Sequence, residues 1–113
     1  MKENKVITIV GTGVIGAGWA ARFLAKGYTV KAYDPNSVSR EQLKINVRTA
    51  FKSLKKIGLN RNASLRNLKV YSKLPSALKD TTFVQENAPE NEKIKKDIEA
   101  APFKIVNLSL IHI

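Results

Sequence analysis

Three glycines near the start of the chain have the spacing of a phosphate-binding turn. Gly11, Gly13 and Gly16 follow an apolar segment and precede a segment with helical periodicity, so they lie at a predicted strand-to-helix junction. The first would allow a tight turn, the second a close approach of the main chain to a pyrophosphate, and the third close packing of helix on strand. A helix N-terminus also attracts phosphate through its free N–H groups and dipole. The pattern predicts a dinucleotide site at Gly11, Thr12, Gly13, Val14, Ile15 and Gly16.

An acidic residue lies at the distance from this turn that suits the adenosine ribose of a dinucleotide. Asp34 ends the next predicted strand, 23 positions after Gly11. Its carboxylate can accept hydrogen bonds from the ribose hydroxyls and would repel a 2′-phosphate, so the sequence favours NAD over NADP. The alternative is that the glycines only form a tight turn and that Asp34 only caps the turn before Pro35.

Strands alternate with helices along the chain, which predicts a Rossmann-type α/β fold with a doubly wound, mostly parallel sheet. One domain is expected over residues 1–113. The β-branched segment at residues 5–10 has almost no polar alternation, as expected for a strand covered on both faces. Further strands are predicted at residues 28–33, 68–71, 82–86 and 104–110, and helices at residues 14–26, 40–57, 63–67, 75–79 and 90–100.

The first predicted helix has its large apolar residues on one side. Ile15, Trp19, Phe23 and Leu24 share that side, and Gly27 is expected to end the helix. Trp19 is therefore expected in the core and not at a ligand.

The second predicted helix carries a recognisable start signal. Ser39 and Gln42 have the spacing of a capping box, which predicts that the helix begins at residue 40. Leu43, Val47, Phe51 and Leu54 repeat at helical spacing along it, and a glycine at position 58 is expected to end it.

Composition excludes several classes of protein. The 113 residues are 43% hydrophobic, which suits one globular domain. The chain has no cysteine and one histidine, so neither a disulfide scaffold nor a thiolate or histidine metal site is expected. A cytoplasmic location is expected.

The N-terminal segment superficially resembles a signal peptide, because Lys2 and Lys5 are followed by an apolar run. That run is shorter than the roughly 20 residues that span a bilayer, so no membrane association is expected.

Basic residues are concentrated in the middle of the chain. The formal net charge is +11, and residues 38–79 contain eleven lysines and arginines against Glu41 alone. Because clustered cations can neutralise phosphates, a non-enzymatic polyanion or nucleic-acid-binding module is the alternative function. Few aromatic residues are interleaved with these charges: Phe51 belongs to the apolar stripe, and Tyr71 alone is a candidate for stacking. A solvated helix face is therefore favoured, and nucleic acid is not the expected partner.

The sequence at residues 6–20 (VITIVGTGVIGAGWA) resembles the NAD-binding domain of the 3-hydroxyacyl-CoA dehydrogenase family. The sequence at residues 83–91 (FVQENAPEN) resembles the carnitine 3-dehydrogenase (L-carnitine dehydrogenase) branch in particular. The resemblance covers about residues 5–101, and residues 102–113 diverge from it. It implies NAD as cofactor. For the whole enzyme it implies oxidation of a secondary alcohol at the 3-position of carnitine or a related 3-hydroxy acid, with hydride transfer to NAD.

The same resemblance implies a set of residues near the nicotinamide. Glu86, Glu90 and Lys95 match two glutamates and a lysine that follow the fourth strand in the family. Glu90 and Lys95 are expected to contact the nicotinamide ribose or carboxamide, whereas the role of Glu86 is left open. The alternative for Glu90 and Lys95 is a solvated helix N-terminus. The basic helix matches a region that approaches coenzyme A in acyl-CoA members, but a solvated face is favoured here.

Departures from the family limit what these residues are expected to do. The serine-rich segment after the fifth strand, the catalytic histidine with its glutamate partner and the C-terminal helical domain have no match, so the chain is expected to be truncated. His112 is not expected to act as the base, because no carboxylate is placed to orient it. Binding of NAD without meaningful turnover is expected, with a non-functional remnant as an alternative. An uncovered sheet edge predicts self-association into a homo-oligomer or aggregate.

Overall fold

The computed structural model describes residues 5–11, 13–86, 96 and 107–110. It contains a five-stranded sheet with the order β3-β2-β1-β4-β5, and all four pairings are parallel. This confirms the predicted Rossmann-type fold. The elements in chain order are β1 (Val6–Val10), α1 (Val14–Ala25), β2 (Thr29–Tyr33), α2 (Ser37–Lys55), a 3₁₀ turn (Leu65–Asn67), β3 (Leu68–Tyr71), α3 (Leu74–Leu78), β4 (Phe83–Glu86) and β5 (Asn107–Leu110).

The larger part of the core lies between the sheet and the helix pair α1 and α2. Alternate residues of β1 and β2 point to this side, since successive side chains of a strand face opposite ways. Alanines on α1 let that helix approach the sheet closely. The buried members of this cluster are Ile7, Ile9, Ala17, Ala20, Ala21, Leu24, Val30, Ala32, Leu43, Val47 and Phe51.

The opposite side of the sheet is covered by α3 and has a smaller apolar cluster. Its buried members are Val10, Leu74, Leu78 and Val84. A buried hydroxyl lies beside it: Thr8 Oγ1 is 2.8 Å from the carbonyl oxygen of Ala77 and 2.8 Å from Thr81 Oγ1. These hydrogen bonds satisfy the polar group and tie the end of α3 to the central strand.

The buried face of α1 differs from the prediction. Ile15 is exposed, and the buried face consists of the small residues Gly16, Ala17, Ala20 and Ala21 together with Leu24. The expectation that Trp19 is a core residue is only partly correct. Trp19 is half-buried, packs against the edge of the core and stacks on Phe23 at 6.0 Å between ring centroids. Side-chain volume decides this, because only small residues fit where helix and strand are closest.

The start of α2 also differs, and the predicted capping box is wrong. The helix begins at Ser37, and the side chain of Asn36 accepts a hydrogen bond from the backbone N–H of Ser39 at 3.0 Å. Gln42 does not reach back to the helix start; its Nε2 donates to Asn46 Oδ1 at 3.0 Å. Asn36 is the better cap because a proline directly before it ends the preceding strand, and asparagine is a favoured N-cap residue.

The remaining boundaries agree with the sequence to within a few residues. β3 begins and ends as predicted, and β5 covers the second half of its predicted range. The helix predicted at residues 90–100 lies outside the described residues apart from Lys96, which is helical. β3 and β5 are the edges of the described sheet, and self-association through an uncovered edge stays a prediction. Among the described residues, no helix combines the length and apolar character needed to cross a membrane.

Candidate dinucleotide-binding site

The carboxyl ends of the parallel strands meet at one edge of the sheet. Val10, the last residue of β1, is in register with Tyr33 of β2 and with Glu86 of β4. The strand order reverses between β1 and β4, since successive strands run outward to one side of β1 and then to the other. Ligands of open α/β sheets bind outside the carboxyl ends of the strands at such a reversal. The turns that follow β1 and β2 therefore border the candidate site.

The turn after β1 depends on glycine at two positions. Gly11 has φ +86° and donates its N–H to the carbonyl oxygen of Tyr33 at 3.1 Å, which joins the turn to β2. Gly13 has φ +100° and ψ −174°, a conformation that other residues adopt only at a cost of about 1–3 kcal/mol. Among the residues that the structure describes, and apart from the two chain neighbours, no atom lies within 4 Å of the position that a Gly13 Cβ would occupy. The main chain here faces open space that a ligand can approach.

The N-terminus of α1 is available to an anion. Gly13 is the N-cap residue and provides no side-chain cap, and the first turn of the helix contains no acidic residue. Ala17 makes the first bond of the helix, to the carbonyl oxygen of Gly13 at 3.0 Å. The N–H groups of Val14, Ile15 and Gly16 therefore have no partner within the helix. These N–H groups lie at the positive end of the dipole of α1, which suits a pyrophosphate.

Two apolar side chains border this helix end and one glycine packs beneath it. Val14 is 80% exposed and Ile15 is 41% exposed, so both are available to cover a ligand. Gly16 is buried in the helix face that meets the sheet, as its predicted role in close packing requires. At the start of α1, Val14 and Ile15 thus face solvent and Gly16 faces the core.

The turn after β2 is held by its own side chains. Asp34 Oδ1 accepts a hydrogen bond from the N–H of Asn36 at 2.9 Å, and the N–H of Asp34 donates to the carbonyl oxygen of Tyr71 at 3.3 Å. These bonds fix Asp34 at the same edge as the glycine turn. Both roles proposed for this residue are compatible, because a carboxylate has two oxygens and about four acceptor positions.

Sequence reasoning missed one residue of this turn. Arg40, in the first turn and a half of α2, donates from Nη1 to the carbonyl oxygen of Asp34 at 2.8 Å and is half-buried. Its spacing of six residues from Asp34 matches no local motif. The signal that could have found it is that α2 begins at Ser37, which turns position 40 back toward the end of β2.

Some predicted site residues are not placed by the structure. Thr12, Glu90 and Lys95 lie outside the described residues, and for Glu86 the description covers the main chain at the end of β4. Among the described residues there is also no group of histidine, cysteine or acidic side chains that could hold a metal ion.

The family model of the 3-hydroxyacyl-CoA dehydrogenase NAD-binding domain matches residues 6–111. The chain belongs to this family. The match spans nearly the whole sequence, including the glycine turn and the residues after β4. NAD is accordingly the cofactor of this domain.

Relatives named L-carnitine dehydrogenase match most of the chain. The protein of Streptomyces griseus is 46% identical over 99 residues, which are 88% of this chain and 30% of that protein. The protein of Staphylococcus epidermidis is 44% identical over 87 residues, which are 77% of this chain and 27% of that protein. The chain thus spans about 30% of the length of these curated relatives.

Solved structures of other dehydrogenases share the fold. A (S)-3-hydroxybutyryl-CoA dehydrogenase from Ralstonia eutropha superposes with a TM-score of 0.78 and 26% identity, over 96% of this chain and 41% of that one. An NAD⁺-dependent dismutase, 5-formyl-3-hydroxy-2-methylpyridine 4-carboxylic acid 5-dehydrogenase, gives a TM-score of 0.79 and 25% identity, over 96% and 37%.

Other surface features of the family domain lie away from this edge. An open hollow lined by Trp19, Phe23, Tyr28 and Leu54 lies between the C-terminal ends of α1 and α2. The glycine turn is at the other end of α1, about 18 Å away for a helix of 12 residues. The hollow is therefore separate from the candidate site.

The basic segment at residues 38–79 is mostly exposed. On α2 its exposed members are Lys44, Arg48, Lys52 and Lys55. Lys44 pairs with Glu41 at 3.1 Å, across one turn of the helix and in solvent. A pair of this kind contributes at most about 1 kcal/mol to stability. The arrangement agrees with the solvated helix face that the sequence favours.

Proposed function

We propose that this chain binds NAD with the pyrophosphate on Gly11, Thr12, Gly13, Val14, Ile15 and Gly16, and the adenosine ribose on Asp34. The observation that carries the proposal is the N-terminus of α1. It has no side-chain cap and no acidic residue, and the main chain at Gly13 borders open space. An anion can approach several N–H donors there without displacing any group of the described residues.

The adenosine end of the cofactor is expected one strand further along the sheet. Asp34 follows Tyr33, which is in register with Val10 at the end of β1. The carboxylate at this edge would accept hydrogen bonds from the ribose hydroxyls. For the nicotinamide end we propose Glu90 and Lys95, on the family resemblance described above.

For the whole protein we propose oxidation of the 3-hydroxyl of carnitine or of a related 3-hydroxy acid. This rests on the relatives named L-carnitine dehydrogenase, and the chain covers about 30% of their length. NAD would supply the hydride acceptor, and a general base would take the hydroxyl proton. We do not assign that base to His112, the one histidine of the sequence. These 113 residues are therefore proposed to bind the cofactor without meaningful turnover.

Calorimetric titration of the purified chain with NAD and with NADP tests this proposal. Circular dichroism first establishes that the chain is folded. We expect NAD to bind at least about tenfold more tightly than NADP, because the Asp34 carboxylate opposes a 2′-phosphate. A folded chain that binds neither dinucleotide would contradict the proposal and leave the glycine turn with a structural role only.

A second candidate function is the binding of a polyanion by α2. The exposure of Lys44, Arg48, Lys52 and Lys55 favours it. A fluorescent single-stranded oligonucleotide provides the probe. Binding that falls steeply with salt, and that NAD does not compete with, would support this function, because each phosphate neutralised releases counterions. Binding that is absent at about 0.15 M salt would exclude it.

A further inference from the structure

The segment that joins the end of β2 to the first turns of α2 contains one acidic and one basic side chain. From position 34 to position 40 the sequence is Asp-Pro-Asn-Ser-Val-Ser-Arg, so Asp34 carries the one negative charge and Arg40 the one positive charge. The first turn of α2 has no acidic residue, and the next carboxylate, Glu41, is paired with Lys44 at 3.1 Å. The two opposite charges are therefore both at the adenosine end of the proposed site.

Arg40 is held beside Asp34 by hydrogen bonds to the main chain. Its Nη1 donates to the backbone carbonyl oxygen of Asp34 at 2.8 Å, and its own N–H donates to the carbonyl oxygen of Asn36 at 3.0 Å. A substitution of the Asp34 side chain leaves both acceptors in place. The bond to Asp34 uses one of the five N–H donors of a guanidinium, which is a group suited to phosphate.

We propose that Arg40 is a specificity-determining residue that provides a cation for a 2′-phosphate, whose binding the Asp34 carboxylate opposes. The proposal rests on the placement of the adenosine ribose at Asp34. In dinucleotide-binding folds an acidic residue selects the free 2′-hydroxyl and a nearby arginine accommodates the 2′-phosphate. This chain has both groups within one turn. The carboxylate decides in favour of NAD because it accepts directly from the ribose, while Arg40 weakens the discrimination against NADP.

The two charges predict opposite changes in selectivity. Asp34→Asn removes the charge but keeps an acceptor for the N–H of Asn36, so the turn is preserved. We expect it to bind NADP about tenfold or more tightly than the unchanged chain does, since a hydrogen bond between charged groups is worth roughly one to two powers of ten in affinity. Arg40→Met should weaken NADP binding by a similar factor and change NAD binding little. The double variant Asp34→Asn/Arg40→Met should lose the NADP gain.

A matched control separates the position of Arg40 from its charge. Arg48→Met removes an arginine from the same helix about two turns further on. Arg48 lines a hollow with Leu65 and Val70, away from Asp34. This variant should bind both dinucleotides as the unchanged chain does. Arg40→Lys keeps a cation without the planar fork and should retain part of the NADP gain in the Asp34→Asn background.

The experiment measures dissociation constants for NAD and NADP, and for the smaller pair 5′-AMP and adenosine 2′,5′-bisphosphate, with every variant checked by circular dichroism. If Arg40 had only a structural role, Arg40→Met would bind all four ligands more weakly by the same factor. That result would overturn the proposal. Equal NADP binding by Asp34→Asn and the double variant would also overturn it while leaving the proposed NAD site intact. If the folded, unchanged chain binds no dinucleotide, both the proposed NAD site and the proposed role of Arg40 are overturned. If Asp34→Asn is unfolded, Asp34→Ser replaces it with the same expected order.

Discussion

The turns after β1 and β2 lie side by side at one edge of the sheet and are built in opposite ways. After β1 the chain uses glycines at positive φ, and the N-terminus of α1 has no side-chain cap. After β2 the side chains of Asp34 and Asn36 accept from the N–H groups of Asn36 and Ser39. The first N–H groups of α1 have no partner within the helix, whereas side chains of the second turn accept from the N–H groups of Asn36 and Ser39.

The two strand-turn-helix units are therefore expected to have different roles in binding. The first turn lacks the stability of a capped helix and, in the function proposed above, provides an anion site made of main chain. The second turn keeps its helix capped and offers side chains, Asp34 and Arg40, that can select among ligands. Affinity for the dinucleotide is therefore expected to depend mostly on the first turn, and selectivity on the second.

The largest expected effect comes from a side chain at Gly13. Gly13→Ala places a Cβ in the open space that the pyrophosphate would use, at a φ that disfavours alanine. We expect a loss of about 1–3 kcal/mol in the free energy of unfolding. NAD affinity should fall roughly 100-fold, because at least two charge-assisted hydrogen bonds are disturbed. Urea denaturation and calorimetry measure the two effects.

Gly18→Ala is the matched control for that variant. Gly18 lies within α1 and does not have a positive φ, and a Cβ added there would meet no atom of the described residues outside its own stretch of helix within 4 Å. Alanine should stabilise the helix there by about 0.5–1 kcal/mol and leave NAD affinity unchanged. Equal loss of NAD binding in both glycine variants would show that the turn has no special role.

A carboxylate at the start of α1 should make the first turn resemble the second. Val14→Asp places an anion at the exposed first residue of the helix. The dipole should stabilise the chain by about 0.3–1 kcal/mol. NAD should bind roughly tenfold more weakly, since two anions about 5 Å apart repel by about 1–3 kcal/mol near a protein surface.

Val38→Asp makes the same change in the first turn of α2, at a side chain that is 75% exposed. It should give a similar gain in stability. NAD affinity should stay within about threefold, because the pyrophosphate is expected at the other helix. If Val38→Asp weakens NAD binding as much as Val14→Asp, the proposed division between the turns is wrong.

A smaller effect is expected when the cap of the second turn is removed. Asn36→Ala loses the acceptor for the N–H of Ser39 and should lower the free energy of unfolding by about 1 kcal/mol. Ser39→Ala keeps that N–H and should change stability by less than about 0.5 kcal/mol. If thermal or urea unfolding showed a larger loss of stability for Ser39→Ala than for Asn36→Ala, Ser39 would be the cap.

The smallest effect concerns β2, the strand that leads into the capped turn. Desolvation lowers the pKa of Lys31 from 10.5; Asp80 acts in the opposite direction, and Lys69 and Lys79 add to the lowering. Lys31 Nζ donates to the carbonyl oxygen of Lys79 at 2.6 Å, which a neutral amine can also do. In the pH range between the lowered pKa and 10.5, the unfolded chain binds more protons than the folded chain.

The contribution of Lys31 to stability should therefore increase as the pH rises through its lowered pKa towards 10.5. Below that pKa the amine is charged in both states and the full desolvation cost applies. Urea unfolding of the unchanged chain and of Lys31→Met, at neutral pH and near pH 10.5, gives the difference between them. The prediction would be contradicted if the unchanged chain became less stable, relative to Lys31→Met, when the pH is raised to about 10.5.

Local patterns were sufficient for most of the fold. Gly11, Gly13 and Gly16 were recognisable because only glycine tolerates the required backbone conformations and close packing, which is a property of the residue itself. The strands could be recognised because β-branched runs without polar alternation suit a sheet covered on both faces. The error at the start of α2 arose because either of two residues, Asn36 and Ser39, could cap the helix.

The sequence by itself determined the order of strands and helices, the glycine turn and the acidic residue at the end of β2, because these depend on near neighbours in the chain. Only the tertiary structure decided that small residues on α1 face the sheet, that Trp19 lies at the margin of the core, and that Arg40 contacts the main chain of Asp34. These features depend on volume and distance between elements that are brought together by folding, and residue types along the chain do not encode them locally.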